Sequence, residues 1–127
     1  MKEQVKTEGA PAPIGPYSQG IITSGKILFV AGQTPKDPKT GQMPPDFKAQ
    51  AERTLENLKA IIEAAGANMS DVVKVNAYLT DLGNFPVFNE IYARYFSQPW
   101  PARTTVGAAL PGATVQVEID AIVALPR

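Results

Sequence analysis

"DFKAQAERTLENLKAIIEAAG", residues 46–66, is followed at once by "DVVKVNAYLTD", residues 71–81, and between the two the hydrophobic period changes. In the first segment Phe47, Ala51, Leu55, Leu58, Ile61, Ile62 and Ala65 recur at helical steps and define one apolar face. Asp46 stands where an N-cap belongs, and Gly66 where a helix turns left-handed to end. In the second segment Val73, Val75, Ala77 and Leu79 alternate with Lys74, Asn76, Tyr78 and Thr80, the period of a strand with one buried face. A helix delivered straight onto such a strand sets the class as mixed α and β.

Working outward, "NFPVFNEIYARYF", residues 84–96, reads as a second helix. Asn84 is placed to cap it and Pro86 falls in the tolerated first turn. Phe88, Ile91, Tyr92, Tyr95 and Phe96 line one side. Two strands are expected after it, over 104–110 and 115–125, joined as a hairpin by a Pro111-Gly112 turn. Upstream, residues 20–33 read as two β runs hinged at Ser24-Gly25, a two-residue hairpin signal. The intervening "TPKDPKTGQMPPD", residues 34–46, is a surface loop by composition. The expected order is β-β-α-β-α-β-β. It implies one α+β domain over residues 1–127, with two helices on one face of the sheet and right-handed crossovers.

Ile27-Leu28-Phe29-Val30-Ala31 breaks the alternation, so both faces of that strand should be buried. Two helices cover one face only. The other, with Ile122 and Tyr78, needs a cover that a second copy of the chain would supply, and a homo-oligomer is expected.

Bulk composition removes several classes of function. Twelve basic and twelve acidic residues leave a formal net charge of zero, which argues against nucleic acid as a main partner. No apolar run approaches the length of a membrane span, and the polar start "MKEQVKTEGAPAP" has no signal-peptide core, so a cytoplasmic location is the default expectation. The chain has no histidine and no cysteine, which removes the usual neutral-pH proton shuttle, the thiol nucleophile and nearly every transition-metal site. No metal and no cofactor is expected. Glycine-rich phosphate loops and nucleophile elbows are absent as well.

Within "WPARTTVGAAL", residues 100–110, Arg103 enters a strand with no acidic residue within ten positions on either side. A planar fork so placed suits either a carboxylate ligand or a salt bridge, and position alone divides the two evenly. Glu118 lies on the polar face of "VQVEIDAIV", where a solvated carboxylate is the bland reading. Holding and polarising a water molecule is the alternative. Counting back from the Pro111-Gly112 turn sets Glu118 roughly opposite Arg103, to pair with it or to share a ligand. "IGPYSQG", residues 14–20, presents Tyr17 from a rigid bend, and Gly32 in "AGQTP" breaks a β run to expose its backbone or form a bulge. Asn89, in "FNEIY", would ordinarily be a solvated helix residue.

Taken together, "IGPYSQGI", "FVAGQTPKDPKTGQ", "NLKAIIEAAG", "VVKVNAYLTDL", "FNEIYARYF" and Pro101-Ala102-Arg103 with Val106, then Val117-Glu118-Ile119, resemble the RidA/YjgF family of enamine/imine deaminases over nearly the whole chain. The resemblance implies a chorismate-mutase-like fold assembled as a homotrimer with clefts between subunits. It also implies hydrolysis of short-lived 2-imino acids, such as 2-iminopropanoate and 2-iminobutanoate, to 2-oxo acids and ammonia without a cofactor. By position, Arg103 would grip the substrate carboxylate, Glu118 would hold the attacking water and Tyr17 would close the cleft. The Gly32 carbonyl would receive the substrate nitrogen, with Asn89 and Thr105 nearby. Many relatives carry cysteine where this chain has Thr105, and serine where it has Ala31, and activity is expected to survive both changes. The rival expectation is a non-enzymatic trimer that binds small carboxylates or partner proteins through the same pocket. Ribonuclease activity, described for some members, fits a neutral chain without histidine least well.

Overall fold

The computed structural model describes residues 2–126. Its elements run β1 (Lys2–Val5), β2 (Gly20–Thr23), β3 (Ile27–Gln33), α1 (Phe47–Ala64), β4 (Val72–Leu79), α2 (Phe85–Tyr95), β5 (Ala102–Gly107) and β6 (Val117–Ala124), with short 3-10 turns before β4 and α2. β3, β6, β4 and β5 form a mixed sheet in that spatial order, antiparallel except for the parallel β4–β5 pair. Both helices pack on one face, where Val30, Val75, Ala77, Val117, Ile119, Ala121 and Val123 meet Leu55, Leu58, Ile62, Phe88, Ile91 and Tyr92 in a single core.

The helix termini follow from local chemistry. Asp46 accepts the Ala49 amide at 3.1 Å as a side-chain cap, and Gly66, at φ +84°, takes the left-handed turn that ends α1. Asn84 occupies the N-cap position of α2 but its side chain makes no capping bond. The capping carboxylate in that region is Asp81, which accepts from Gly83 at 2.8 Å and closes the 3-10 turn leading into α2.

Both expected hairpins are corrected. β2 does not pair with β3 across Ser24-Gly25; it pairs with β1, a strand formed by the polar N-terminus, in a separate two-stranded sheet. β5 and β6 do not pair across Pro111-Gly112 either, because β4 lies between them and bonds to both. A Pro-Gly turn reverses the chain without specifying which strand receives it. The strand bounds shift accordingly, β5 opening at Ala102 and closing at Gly107, and β6 opening at Val117.

One buried side chain ties this crossing to the helices. Gln50, on α1 and fully buried, donates to the carbonyls of Pro44 and Thr114 at 2.9 Å each and accepts the Gln116 amide at 2.9 Å. The loop before β6 is thereby fastened to α1, which fixes where Glu118 emerges.

The face of the sheet away from the helices carries Phe29, Ile122, Tyr78, Val106, Lys74, Asn76, Asp120 and Glu118. Phe29 is 73% exposed there, so the strand without alternation does present an apolar side chain that the single chain leaves uncovered.

Candidate active site

Register decides which site residues meet. Arg103 pairs with Val75, whereas Glu118 pairs with Tyr78, three residues along the same strand. An odd spacing on β4 means opposite faces. Arg103 and Thr105 therefore point to the helix side and Glu118 to the open side. The expectation that Arg103 and Glu118 face one another across a hairpin is overturned by the intervening β4.

Arg103 is only 9% exposed and lies among four aromatic rings. Its guanidinium carbon is 4.8 Å from the centre of Tyr92, 5.3 Å from Tyr17, 5.6 Å from Phe85 and 5.7 Å from Phe88. Three of those rings come from α2, at helix positions 85, 88 and 92, and one from the N-terminal bend. That bend is held in place by Ser18, whose amide donates to the Pro101 carbonyl at 3.0 Å and whose hydroxyl donates to the Trp100 carbonyl. Tyr17 is fixed in turn: its amide donates to Gly15 at 2.9 Å and its hydroxyl accepts the Ile14 amide at 3.3 Å. Gly15 brings the backbone close, since a β-carbon there would stand 3.4 Å from Arg103 Nη2 and 3.4 Å from Asn89 Nδ2. So Arg103, Tyr17, Asn89 and Thr105, which lie far apart in the sequence, are gathered in one place. Ile14, Tyr17, Phe85, Arg103 and Thr105 enclose a cavity of about 130 Å³.

The polar atoms of this place are unsatisfied. Arg103 Nη1, Thr105 Oγ1, Asn89 Oδ1 and Tyr92 Oη are all buried and have no hydrogen-bond partner among the described residues. No ion pair of Arg103 occurs among the described residues; those present join Arg94 to Glu52 and to Glu90. Burial lowers the Arg103 ionisation from its ordinary value, and the Tyr92 and Tyr17 phenols oppose that shift. Cation–π contacts return roughly 0.5–2 kcal/mol per ring. Desolvating an ion costs several kcal/mol, so the rings offset the burial only in part. An anion that also accepts from Thr105 would satisfy the remaining donors.

On the other face Glu118 lies against Gly32. A register shift between Val30 and Gln33 takes Ala31 and Gly32 off the ladder, and a β-carbon on Gly32 would overlap Glu118 Oε2 and come within 3.0 Å of its carboxyl carbon. Glu118 has no hydrogen bond or ion pair of its own among the described residues. Its neighbour Asp120 is fully engaged, accepting Asn76 Nδ2 at 2.9 Å and the Tyr78 hydroxyl at 3.1 Å. That bond is the main cause of the upward shift in the Tyr78 ionisation, with burial next. Of the two carboxylates on this face, Glu118 is the one left free.

Tyr92 is the residue that sequence reasoning took only as core. Its helical spacing with Phe88 and Phe96 hides it, and the only signal is the hydroxyl among phenyl rings. Among the described residues no group of three or more acidic, histidine or cysteine side chains could hold a metal ion, and no helix is long and apolar enough to cross a membrane.

Comparison with known proteins agrees with this layout. The family model described as endoribonuclease L-PSP matches residues 7–125. A RutC family protein of Pyrococcus horikoshii is 51% identical over 123 residues, which is 96% of this chain and 97% of the relative. The 2-iminobutanoate/2-iminopropanoate deaminase of Escherichia coli is 42% identical over 125 residues, 96% of this chain and 97% of that protein. The crystal structure of RidA from an Antarctic Psychrobacter superposes with a TM-score of 0.74 at 45% identity, covering 95% of this chain and 98% of the other. With a family model spanning nearly its whole length and relatives of this similarity, the chain belongs to the RidA/YjgF family.

Proposed function

We propose that the protein hydrolyses short 2-imino acids to 2-oxo acids and ammonia, in clefts formed between copies of the chain in a homotrimer. The observation that carries this reading is the buried, acid-free arginine surrounded by unpartnered polar atoms. Its missing counter-ion is the carboxylate of the substrate. Arg103 takes that carboxylate as a bidentate pair, with Thr105 close by and Tyr17 and Ile14 over the mouth. A cavity of about 130 Å³ suits an acid of three or four carbons.

Glu118 holds the water. It takes a proton as the water oxygen bonds to C2 of the protonated imine, giving a carbinolamine. That proton goes to nitrogen as the C–N bond breaks and ammonia leaves, and the remaining hydroxyl proton passes to Glu118 and on to the released ammonia as the C=O bond of the 2-oxo acid forms. Gly32, beside Glu118, offers its carbonyl to the substrate nitrogen. An imine is electrophilic already, so orientation and one polarised water supply the acceleration and no cofactor is needed. Because Arg103 and Glu118 occupy opposite faces of the sheet, one copy contributes the arginine half of each cleft and its neighbour the Gly32–Glu118 half. The uncovered Phe29 and Val106 support burial of that open face between copies. A relative named for this deaminase activity, at 42% identity, supports the chemistry. Neutral net charge gives an RNA backbone nothing to follow.

The test generates 2-iminopropanoate or 2-iminobutanoate with an amino-acid dehydratase in the presence of a semicarbazide trap. The protein should speed 2-oxo acid formation. Arg103→Ala should abolish the effect, and Glu118→Gln should keep 2-oxobutanoate binding while turnover falls on the order of 100-fold. If the wild type fails to accelerate hydrolysis although it is trimeric and binds 2-oxobutanoate, a non-enzymatic carboxylate-binding protein is the better account.

A further inference from the structure

α2 and the residue that caps its C-terminus send Phe88, Tyr92 and Phe96 into the core at four-residue steps. Their rings are in contact, with centres 5.7 Å apart for Phe88 and Tyr92 and 4.3 Å apart for the stacked Tyr92 and Phe96. Phenylalanine serves at the first and third positions. At the second the chain carries a tyrosine that is 0% exposed and whose hydroxyl has no partner among the described residues. A buried hydroxyl without a hydrogen bond lowers stability relative to the plain ring, so packing gives no reason for it. Its nearest charged neighbour is Arg103, whose guanidinium carbon is 4.8 Å from the ring centre and whose Nη1 is equally unpaired. Asn89, one helical step before Tyr92, holds the unpaired Oδ1. The unsatisfied phenol belongs to the same cluster as the unsatisfied guanidinium.

A carboxylate offers about four lone-pair sites, and a bidentate arginine fills two. We propose that the Tyr92 hydroxyl is a further ligand-positioning group, donating to the carboxylate held by Arg103 and fixing its plane against rotation about the guanidinium. The inference rests on the reading that a carboxylate binds at Arg103. Burial pushes the phenol's ionisation well up, with Arg103 opposing only in part, so Tyr92 stays a donor throughout the neutral range. All four rings, Tyr92 included, lie against the guanidinium, but Phe85 and Phe88 carry no hydroxyl and that of Tyr17 is engaged by the Ile14 amide, which leaves Tyr92 as the ring whose hydroxyl has no partner among the described residues.

The test compares wild type, Tyr92→Phe and Arg103→Ala by calorimetric titration with 2-oxobutanoate, alongside thermal unfolding without ligand. Tyr92→Phe should bind on the order of tenfold more weakly while its unliganded melting temperature stays level or rises. Unchanged affinity in Tyr92→Phe, with binding lost in Arg103→Ala, overturns this inference and leaves the carboxylate reading standing. A lower unliganded melting temperature in Tyr92→Phe also overturns it, since the hydroxyl would then serve the fold. Full affinity in Arg103→Ala removes the carboxylate reading and this inference with it.

Discussion

Gly32 shows how one missing methyl group can hold a site open. The α-hydrogen that stands in place of its side chain faces the Glu118 carboxylate so closely that a β-carbon would overlap Oε2. What it would displace is the end of a flexible side chain, not backbone, so the fold has room to yield. Gly32→Ala is expected to change stability by no more than about 1 kcal/mol. It should lower turnover about 10–100-fold by swinging the carboxylate out of place. Urea unfolding together with the dehydratase-coupled assay checks this, and a large loss of stability would mean that Gly32 serves the backbone instead. At this scale the sequence was partly legible. Arg103 stood out because its neighbourhood lacks acids, whereas Thr105 came only with the family resemblance. Tyr92 did not stand out, because an aromatic at helical spacing reads as core whether or not its hydroxyl has a partner. Glu118 was legible as a candidate on the polar face, but its relation to Arg103 was not, since which strands are neighbours is a property of the sheet and not of either residue.

Elements were legible where periodicity carries the information. α1 and β4 follow their apolar spacing nearly to the residue, with Asp46 and Gly66 marking the helix ends. The misreadings fall on pairing: β1 is too polar to announce itself, and neither turn signal pairs the strands that flank it. Long-range fastening of the kind Gln50 provides carries no local signature either. Replacing Gln50 by alanine leaves three backbone groups without their partner and opens space beside α1, so a loss of about 2–4 kcal/mol is expected in urea unfolding. A loss under 1 kcal/mol would show that water replaces those bonds at the loop. The contact between α1 and α2 has a titratable member. Tyr95 donates to Glu56 at 2.8 Å, and burial first, then that bond, push its ionisation up to about 12 from an ordinary 10.0. Between those values the native chain keeps a proton that the unfolded chain has released. The contribution is therefore full below pH 10 and lost as pH rises through 12. Thermal unfolding of wild type against Tyr95→Phe across this range should show the wild type falling more steeply.

For the molecule as a whole, the sheet separates what the proposed reaction has to combine. The arginine half lies under α2 and the glutamate half opens on the uncovered face, so no rotamer change brings them together within one copy. A cleft shared between neighbours makes a quantitative demand. Mix Arg103→Ala chains, which keep Glu118, with Glu118→Gln chains, which keep Arg103, in equal amounts under conditions that let subunits exchange. Each variant alone has no intact cleft. In the mixture each cleft draws its arginine from one copy and its glutamate from the next. Each draw succeeds about half the time, so about a quarter of wild-type activity should return. The fraction is the same for any closed ring in which neighbours share a cleft, so light scattering on the wild type is needed to give the number of copies. Were both halves of a cleft drawn from a single copy, the mixture would stay as inactive as its parts. Recovery near a quarter requires that the uncovered face of one copy meets the arginine pocket of another. In that case the uncovered Phe29, the free Glu118 and the unpaired Arg103 have one common cause in the assembly.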